Sequence, residues 1–183
     1  MGPVNRISDA QIALLRWDQD PGRAAQYTTG TGSNPHGVAF DGTNIWVTNY
    51  TGGTVSKINP NGAAPGTPIN YATGLNPYGV AFDGTNIWVT NYGSATVSKI
   101  NPVTGTKVDY TTGPNPVGVA FDGTNIWVTN NGGGTVSKIN PNGVAPGTPI
   151  NYTTGLTPVG VAFDGTNIWV TNQGSGSVSK IIP

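Results

Sequence analysis

A segment of thirteen residues occurs four times without a change in this chain of 183 residues. Each copy reads Gly-Val-Ala-Phe-Asp-Gly-Thr-Asn-Ile-Trp-Val-Thr-Asn, and the copies occupy residues 37–49, 79–91, 118–130 and 160–172. A period of about 40 residues is typical of repeat architectures, in which each copy belongs to one structural unit. The chain also contains 28 Gly and 15 Pro, a content that approaches that of disordered chains. A disordered chain has no reason to repeat Trp, Phe, Ile and Val in phase, so the Gly and Pro residues indicate turns.

Each unit contains four segments with the pattern of short β-strands. In the first unit, an apolar run at 37–40 precedes the turn dipeptide Asp41-Gly42, and a β-branched and aromatic segment follows at 44–48. Residues 54–58 alternate polar and apolar side chains, as a half-buried strand does, and 69–71 form the fourth segment. Four short antiparallel strands per repeat are the signature of a propeller blade. A single β-sandwich, the alternative, has no need for identical copies.

We therefore predict an all-β fold, a propeller of four four-stranded blades over residues 24–183, with repeats starting near residues 37, 79, 118 and 160. The fourth copy ends with its third strand at 177–181, and the missing strand type occurs at 25–30, before the first copy. This N-terminal strand is predicted to close the last blade and so protect its edge. The residues predicted to close the ring are Gln26, Tyr27, Thr28, Val178 and Lys180.

Two arrangements of the ring stay open at this point. Identical repeats cannot distinguish a partner strand in the same chain from one in another chain. We favour a closed four-bladed ring within one chain. The alternative is an eight-bladed dimer in which two chains exchange the closing strand.

The composition restricts the classes of function. Only 9% of residues are charged and the net charge is zero, so there is no basic stripe to bind nucleic acid. No apolar run is long enough to cross a bilayer, and we expect no membrane insertion. The chain has no Cys, no Glu and a single His, His36, which excludes a thiol nucleophile and a thiolate or two-His metal site. We expect a protein that is not an enzyme and that holds no cofactor and no metal.

The repeated segment, followed by a Gly-rich loop and Thr-Val-Ser-Lys-Ile, resembles the YVTN-type repeats of bacterial β-propeller proteins. The resemblance covers residues 24–182 and implies the fold, whereas it says little about activity. The chain is also distantly similar to the virginiamycin B lyases, and that family implies a catalytic His and acidic residues with magnesium at the mouth of a seven-bladed ring. Only His36 could stand in for that His, and the other copies have Tyr78, Val117 and Val159 in its place. A lyase-like enzyme is therefore the weakest of three hypotheses.

Residues that recur once per blade are predicted to have structural roles. The tryptophans are flanked by Ile and Val and are expected to pack between blades as a blade core: Trp46, Trp88, Trp127 and Trp169. The repeated aspartates are expected to accept turn amide protons, and the repeated lysines to lie on the blade surface. The loops after the second strand differ between copies. A glycan would contact Tyr50 and Tyr92 there, with Asn49 and Asn91 beside them.

Residues 1–23 do not repeat and form a predicted N-terminal extension. Ser8 or Asp9 can cap a short helix whose candidate assembly residues are Ile12, Leu14, Leu15 and Trp17. Two turns of helix are not stable alone, so this segment is expected to dock on its own propeller or on another subunit. The resulting hypothesis is an extracellular or cell-surface structural propeller that assembles with itself into oligomers or filaments through this extension and its blade surfaces. The alternative from another class is a glycan-binding propeller that uses the Gly-rich loops of one face.

Overall fold

The computed structural model describes residues 26–30, 33–61, 67–145 and 147–183, and these residues form an all-β fold. The first sheet contains β1 (Pro35–Phe40), β2 (Ile45–Asn49), β3 (Thr54–Ile58) and β4 (Ile69–Ala72). The second contains β5 (Pro77–Phe82), β6 (Ile87–Asn91), β7 (Thr96–Ile100) and β8 (Lys107–Thr111). The third contains β9 (Pro116–Phe121), β10 (Ile126–Asn130), β11 (Thr135–Ile139) and β12 (Ile150–Thr153). The fourth contains β13 (Pro158–Phe163), β14 (Ile168–Asn172) and β15 (Ser177–Ile181), with a short 3-10 helix at Gln173–Ser175.

Strands that follow one another in the chain pair antiparallel in every sheet, so each sheet is a meander of the kind predicted for a propeller blade. We refer to the sheets as blades one to four. Extensive contacts join β1 to β5, β5 to β9 and β9 to β13. These first strands therefore line the inner side of the array, and the blades follow one another in chain order.

The repeated aspartate holds the turn between the first two strands of each blade. Asp41 accepts the backbone N–H groups of Thr43 and Asn44 at 2.8 and 2.6 Å, and the Trp46 indole N–H donates to its other oxygen at 2.7 Å. Burial raises the pKa of Asp41, but the hydrogen bonds from Trp46, Asn44 and Thr43 together outweigh burial and hold that pKa below its ordinary value. The pKa of Asp122 is lowered in the same way. The carboxylate thus stabilises the turn in its charged form.

The repeated lysine connects one blade with the next. The ammonium group of Lys99 lies 5.6 Å from the centre of the Trp88 ring and donates a hydrogen bond to the carbonyl oxygen of Pro141 at 2.7 Å. Lys57 likewise lies over Trp46 and donates to Pro102 in the following blade. These lysines therefore contact the tryptophan of their own blade and a backbone carbonyl of the following blade.

Apolar clusters fill the spaces between blades. Trp46 and Val55 of blade one pack with Ile87, Val89 and Ile100 of blade two, and equivalent clusters occur between blades two and three and between blades three and four. Since successive side chains of a strand point to opposite faces, Trp and Thr contact the following blade while Ile and Val contact the preceding one. Three of the four repeated tryptophans are fully buried in these clusters: Trp46, Trp88 and Trp127.

The backbones of adjacent blades approach closely at each junction. The Thr90 hydroxyl donates to the carbonyl oxygen of Val117 at 2.7 Å, and a Cβ atom added to Gly79 would lie only 2.3 Å from that same oxygen. The other two junctions repeat this arrangement with Thr48 and Thr129 as donors. Glycine is required at this position because the next blade passes directly over it.

The four blades form an open arc in the described residues. Blades one and four share no contact as extensive as those between successive blades, and blade four has three strands with β15 at its edge. Residues 26–30 are described but are not in a strand, so Gln26, Tyr27 and Thr28 do not make the predicted pairing with Val178 and Lys180. The described residues of blades one and four therefore do not form a junction like those between successive blades.

The N-terminal extension with Ile12, Leu14, Leu15 and Trp17 lies outside the described residues. Within the described ranges, no helix is long and apolar enough to cross a membrane.

Candidate functional site

The outer face of blade four carries an uncovered half of a blade junction. Trp169 is 38% exposed and Val178 is 58% exposed, whereas the equivalent Trp127 and Val136 of blade three are at 0%. A groove of about 560 Å³ crosses this face, and Thr171 and Val178 are among its lining residues. The Trp169 indole still donates to Asp164 at 2.7 Å, and with the backbone N–H groups of Asn167 and Thr166 it lowers the pKa of that carboxyl. The three strands of this blade are therefore formed as in the other blades, and among the described residues the blade lacks both a fourth strand and a following neighbour.

Blade one presents the other half of a junction. Val38 and Phe40 of β1 are 67% and 57% exposed, although the corresponding residues of blades two and three pack against the preceding blade. Ile45 and Val47 are likewise more exposed than their counterparts Ile87 and Val89. The two ends of the arc are thus complementary in the way that any two successive blades are.

Tyr27 contacts blade one in the way that a tyrosine from the fourth strand of a preceding blade would. Its hydroxyl donates to the carbonyl oxygen of Pro60 at 3.4 Å. Tyr110, in the fourth strand of blade two, makes the same 3.4 Å hydrogen bond to Pro141 of blade three. The equivalence indicates that Tyr27 occupies the position that the corresponding tyrosine of a preceding blade would occupy.

A second feature is a cavity of about 470 Å³ that all four blades line on the inner side of the arc. Each blade contributes two residues: the one that follows the proline at the start of its first strand, and the one that follows the end of its second strand. In blades one and two these are His36, Tyr50, Tyr78 and Tyr92, and in blades three and four they are Val117, Asn131, Val159 and Gln173. All eight come from positions at which the otherwise identical copies differ.

The aromatic half of this cavity is a contiguous cluster. The His36 ring lies 5.0 Å from Tyr50 and 4.6 Å from Tyr78, measured between ring centroids. Tyr92 lies 6.4 Å from both Tyr50 and Tyr78. These separations are those of interacting aromatic pairs, so the four rings support one another.

The cavity is not suited to the magnesium ion that the lyase resemblance implies. The described residues that line it include no carboxylate, and magnesium is bound mainly through carboxylate and other oxygen ligands. The described ranges also contain no group of three His, Cys, Asp or Glu residues that could hold a metal ion. His36 therefore lies among tyrosines, without the acidic partners of a lyase-type site.

The structure separates the four predicted glycan contacts into two kinds. Tyr50 and Tyr92 line the cavity, whereas Asn49 and Asn91 are fully buried. The Asn49 amide donates to the hydroxyl groups of Thr54 and Ser56 at 2.9 and 2.8 Å. The two asparagines thus hold the second and third strands together and are not available to a ligand at this face.

Sequence reasoning did not select Tyr78, Asn131 or Gln173 as site residues. A usable signal was present, because these positions differ between copies whose neighbouring residues are identical. What the sequence pattern does not show is that the residue before the repeated Gly and the residue after the repeated Asn converge on one cavity.

Comparison with solved structures supports the propeller fold. A streptogramin B lyase structure matches with a TM-score of 0.65 and 20% identity over 86% of this chain and 57% of that chain. A catalytically inactive variant of virginiamycin B lyase from Staphylococcus aureus, with quinupristin, gives a TM-score of 0.68 and 19% identity over 87% and 59%. The computationally designed Ika8 protein gives 0.66 and 13% identity over 88% and 49%.

The chain is thus distantly similar to virginiamycin B lyase-like propellers, and at this level of identity the likeness concerns the fold alone. It spans less than two thirds of the length of each of these solved chains. No protein-family model matches the sequence, and comparison with curated proteins likewise finds no match.

Proposed function

We propose that this protein is a non-enzymatic structural propeller that assembles with itself, and that two copies join end to end into a ring of eight blades. The observation that carries the proposal is that both ends of the arc expose half of the junction that the chain makes three times internally. A second copy supplies both missing halves at once, because each chain has one end of each kind.

The internal junctions specify the contacts between copies. Thr171 corresponds to Thr129, which donates to the carbonyl oxygen of Val159 at 2.8 Å, so its acceptor in a second copy is the carbonyl of His36. Gly160 has room for this approach, since within 4 Å an added Cβ would meet only the Thr171 side chain among the described residues. Trp169 would pack against Val38 and Phe40 of the second copy, as Trp88 packs with the cluster that includes Val119 and Phe121.

The same arrangement provides the missing fourth strand of blade four. Residues 26–30 of the second copy accompany its blade one, where Tyr27 is held by Pro60, and they reach the free edge of β15. Tyr27 would then lie against Trp169, as Tyr110 lies 5.3 Å from Trp88. Pairing of this strand removes an exposed sheet edge, which is a site of uncontrolled association in other proteins.

A head-to-tail contact of this kind closes into a ring when its rotation allows and otherwise extends into a filament. The arc matches 49% of the Ika8 chain and 57–59% of the lyase chains, so these solved chains continue beyond an arc of this size, and a second copy would supply such a continuation. This favours closure by two copies over a filament. The near absence of net charge leaves little repulsion between like surfaces. An extracellular location is part of the same proposal.

A pair of matched variants tests the proposal. Val178→Asp places a carboxylate in the contact between copies, and Val108→Asp places one on an outer strand, at a valine that is 40% exposed and away from both ends. An unpaired buried charge is costly, so Val178→Asp should weaken association about a hundredfold or more. Analytical ultracentrifugation of both variants and the parent chain measures this effect.

Val108→Asp should leave association unchanged, and both variants should keep the circular dichroism spectrum of the parent. Equal association of Val178→Asp and the parent would refute the end-to-end contact. Deletion of residues 1–22 tests the N-terminal extension separately, since an assembly that depends on it would be lost while blade contacts stay intact.

A further inference from the structure

We infer that the inner cavity binds a neutral carbohydrate, with the tyrosines of blades one and two as a stacking surface and the amides of blades three and four as hydrogen-bonding groups. The described lining of the cavity belongs to a single chain, and two of its residues, Val159 and Gln173, also line the groove on blade four, so binding is measured in the dissociated chain as well.

The two sides of the cavity differ in chemistry. The blades are copies of one another in nearly every buried position, yet the residues that line the cavity are aromatic on one side and amide or valine on the other. Nothing in the blade packing requires this division, because His36, Tyr78, Val117 and Val159 occupy the same backbone position in four equivalent blades. The division gives this cavity of about 470 Å³ one aromatic side and one hydrogen-bonding side.

The charged side chains of the blades lie away from the cavity. Among the residues that the structure describes, no Asp, Lys or Arg lines the cavity. The repeated aspartates follow the first strand at its other end, where they hold turns and tryptophans. A cationic ligand would therefore find no carboxylate there, and an anionic ligand would find only the His36 imidazole, whereas a neutral ligand would lose no ionic hydration on binding.

The two sides of the cavity offer aromatic rings and amide groups to a ligand. Tyr50 and Tyr92 are partly exposed, and each phenol offers an apolar ring with a hydroxyl group that can donate or accept. The Asn131 amide donates to the carbonyl oxygen of Pro158 at 3.3 Å, which fixes its side chain, and Gln173 has no side-chain partner among the described residues. Sugars have apolar C–H faces and many hydroxyl groups, so they match a surface that offers rings and amides without charge.

The experiment uses the full chain with three neutral oligosaccharides, chitohexaose, cellohexaose and maltohexaose, and with anionic sialyllactose as a charged probe. Isothermal titration calorimetry and saturation-transfer NMR should detect binding of at least one neutral probe and none of sialyllactose. Binding of no neutral probe at millimolar concentration, or a preference for sialyllactose, would overturn the inference.

Two variants of Tyr50 assign the site. Tyr50→Ala should weaken binding about tenfold or more because it removes a stacking ring, whereas Tyr50→Phe keeps the ring and should stay within a few-fold of the parent. Tyrosine ring resonances should shift on titration of the parent chain, which reports the site even where Tyr50→Ala lowers stability. Binding that is unchanged in Tyr50→Ala and leaves these resonances in place would locate the sugar elsewhere and refute this site.

The Val178→Asp variant separates this inference from the proposed assembly. It should stay a single chain and still bind the neutral sugar with the affinity of the parent. Loss of binding together with loss of association would show that the cavity needs two copies, contrary to the inference.

Discussion

Replacing a blade-core tryptophan by alanine should cost less at the open end of the arc than inside it. A buried Trp side chain removes ~150–250 Å² from water, which corresponds to about 4–6 kcal/mol. Trp127 is fully buried and Trp169 is 38% exposed, so Trp169→Ala should destabilise the single chain by about 1.5–2 kcal/mol less than Trp127→Ala. Both variants lose an indole hydrogen bond to an aspartate and a lysine contact, so these losses largely cancel in the comparison.

The assay is urea unfolding of both variants, monitored by circular dichroism. It is carried out at a protein concentration at which the chain is monomeric and again at one at which it associates. The difference between the variants should shrink at the higher concentration, because a second copy then covers Trp169. Equal costs in the monomer would refute the view that Trp169 belongs to an incomplete junction. A difference that does not depend on concentration would refute its coverage by another copy.

Two further predictions concern the turns and the junctions. The pKa values of the Asp41, Asp122 and Asp164 carboxyls are lowered in the folded chain. Their contribution to stability is therefore full above their ordinary pKa of about 4 and is lost as the pH falls below it. Urea unfolding from neutral to acid pH should show this loss of stability, and a stability that does not change with pH would contradict it. Gly118→Ala places a Cβ 2.4 Å from the carbonyl oxygen of Val159 and should prevent stable folding. Gly160→Ala should keep the thermal unfolding temperature within a few degrees of that of the parent chain and should reduce association. Equal effects of the two substitutions on folding would count against the junction geometry.

Local features of the blades could be predicted from the sequence because they depend on short-range pattern. The predicted strand at 54–58 coincides with β3, and the apolar run predicted at 37–40 lies within β1, which begins two residues earlier at Pro35. The Asp41-Gly42 dipeptide marks the turn between β1 and β2. The hydrogen bond from the Trp46 indole to Asp41 was not predicted, although a fixed spacing of Asp and Trp in every copy was visible.

The path of the chain around the ring could not be predicted in the same way. Whether four blades close depends on the rotation between neighbours, which is set by side-chain volumes in the junctions and accumulates over the whole array. Every junction has nearly the same sequence, so no feature of the repeat marks the junction at which the array of blades ends. The destination of residues 26–30 and the convergence of Tyr50 and Tyr78 on one cavity are likewise consequences of three-dimensional packing.

The most direct test of the proposed assembly is the mass of the native particle formed by the 183-residue chain. The chain mass is 18.8 kDa, and native mass spectrometry should show a particle of twice this mass, with eight blades in class averages from electron microscopy. A particle with the mass of one chain at all concentrations, or a ladder of ever larger multiples, would contradict closure of the ring by two copies.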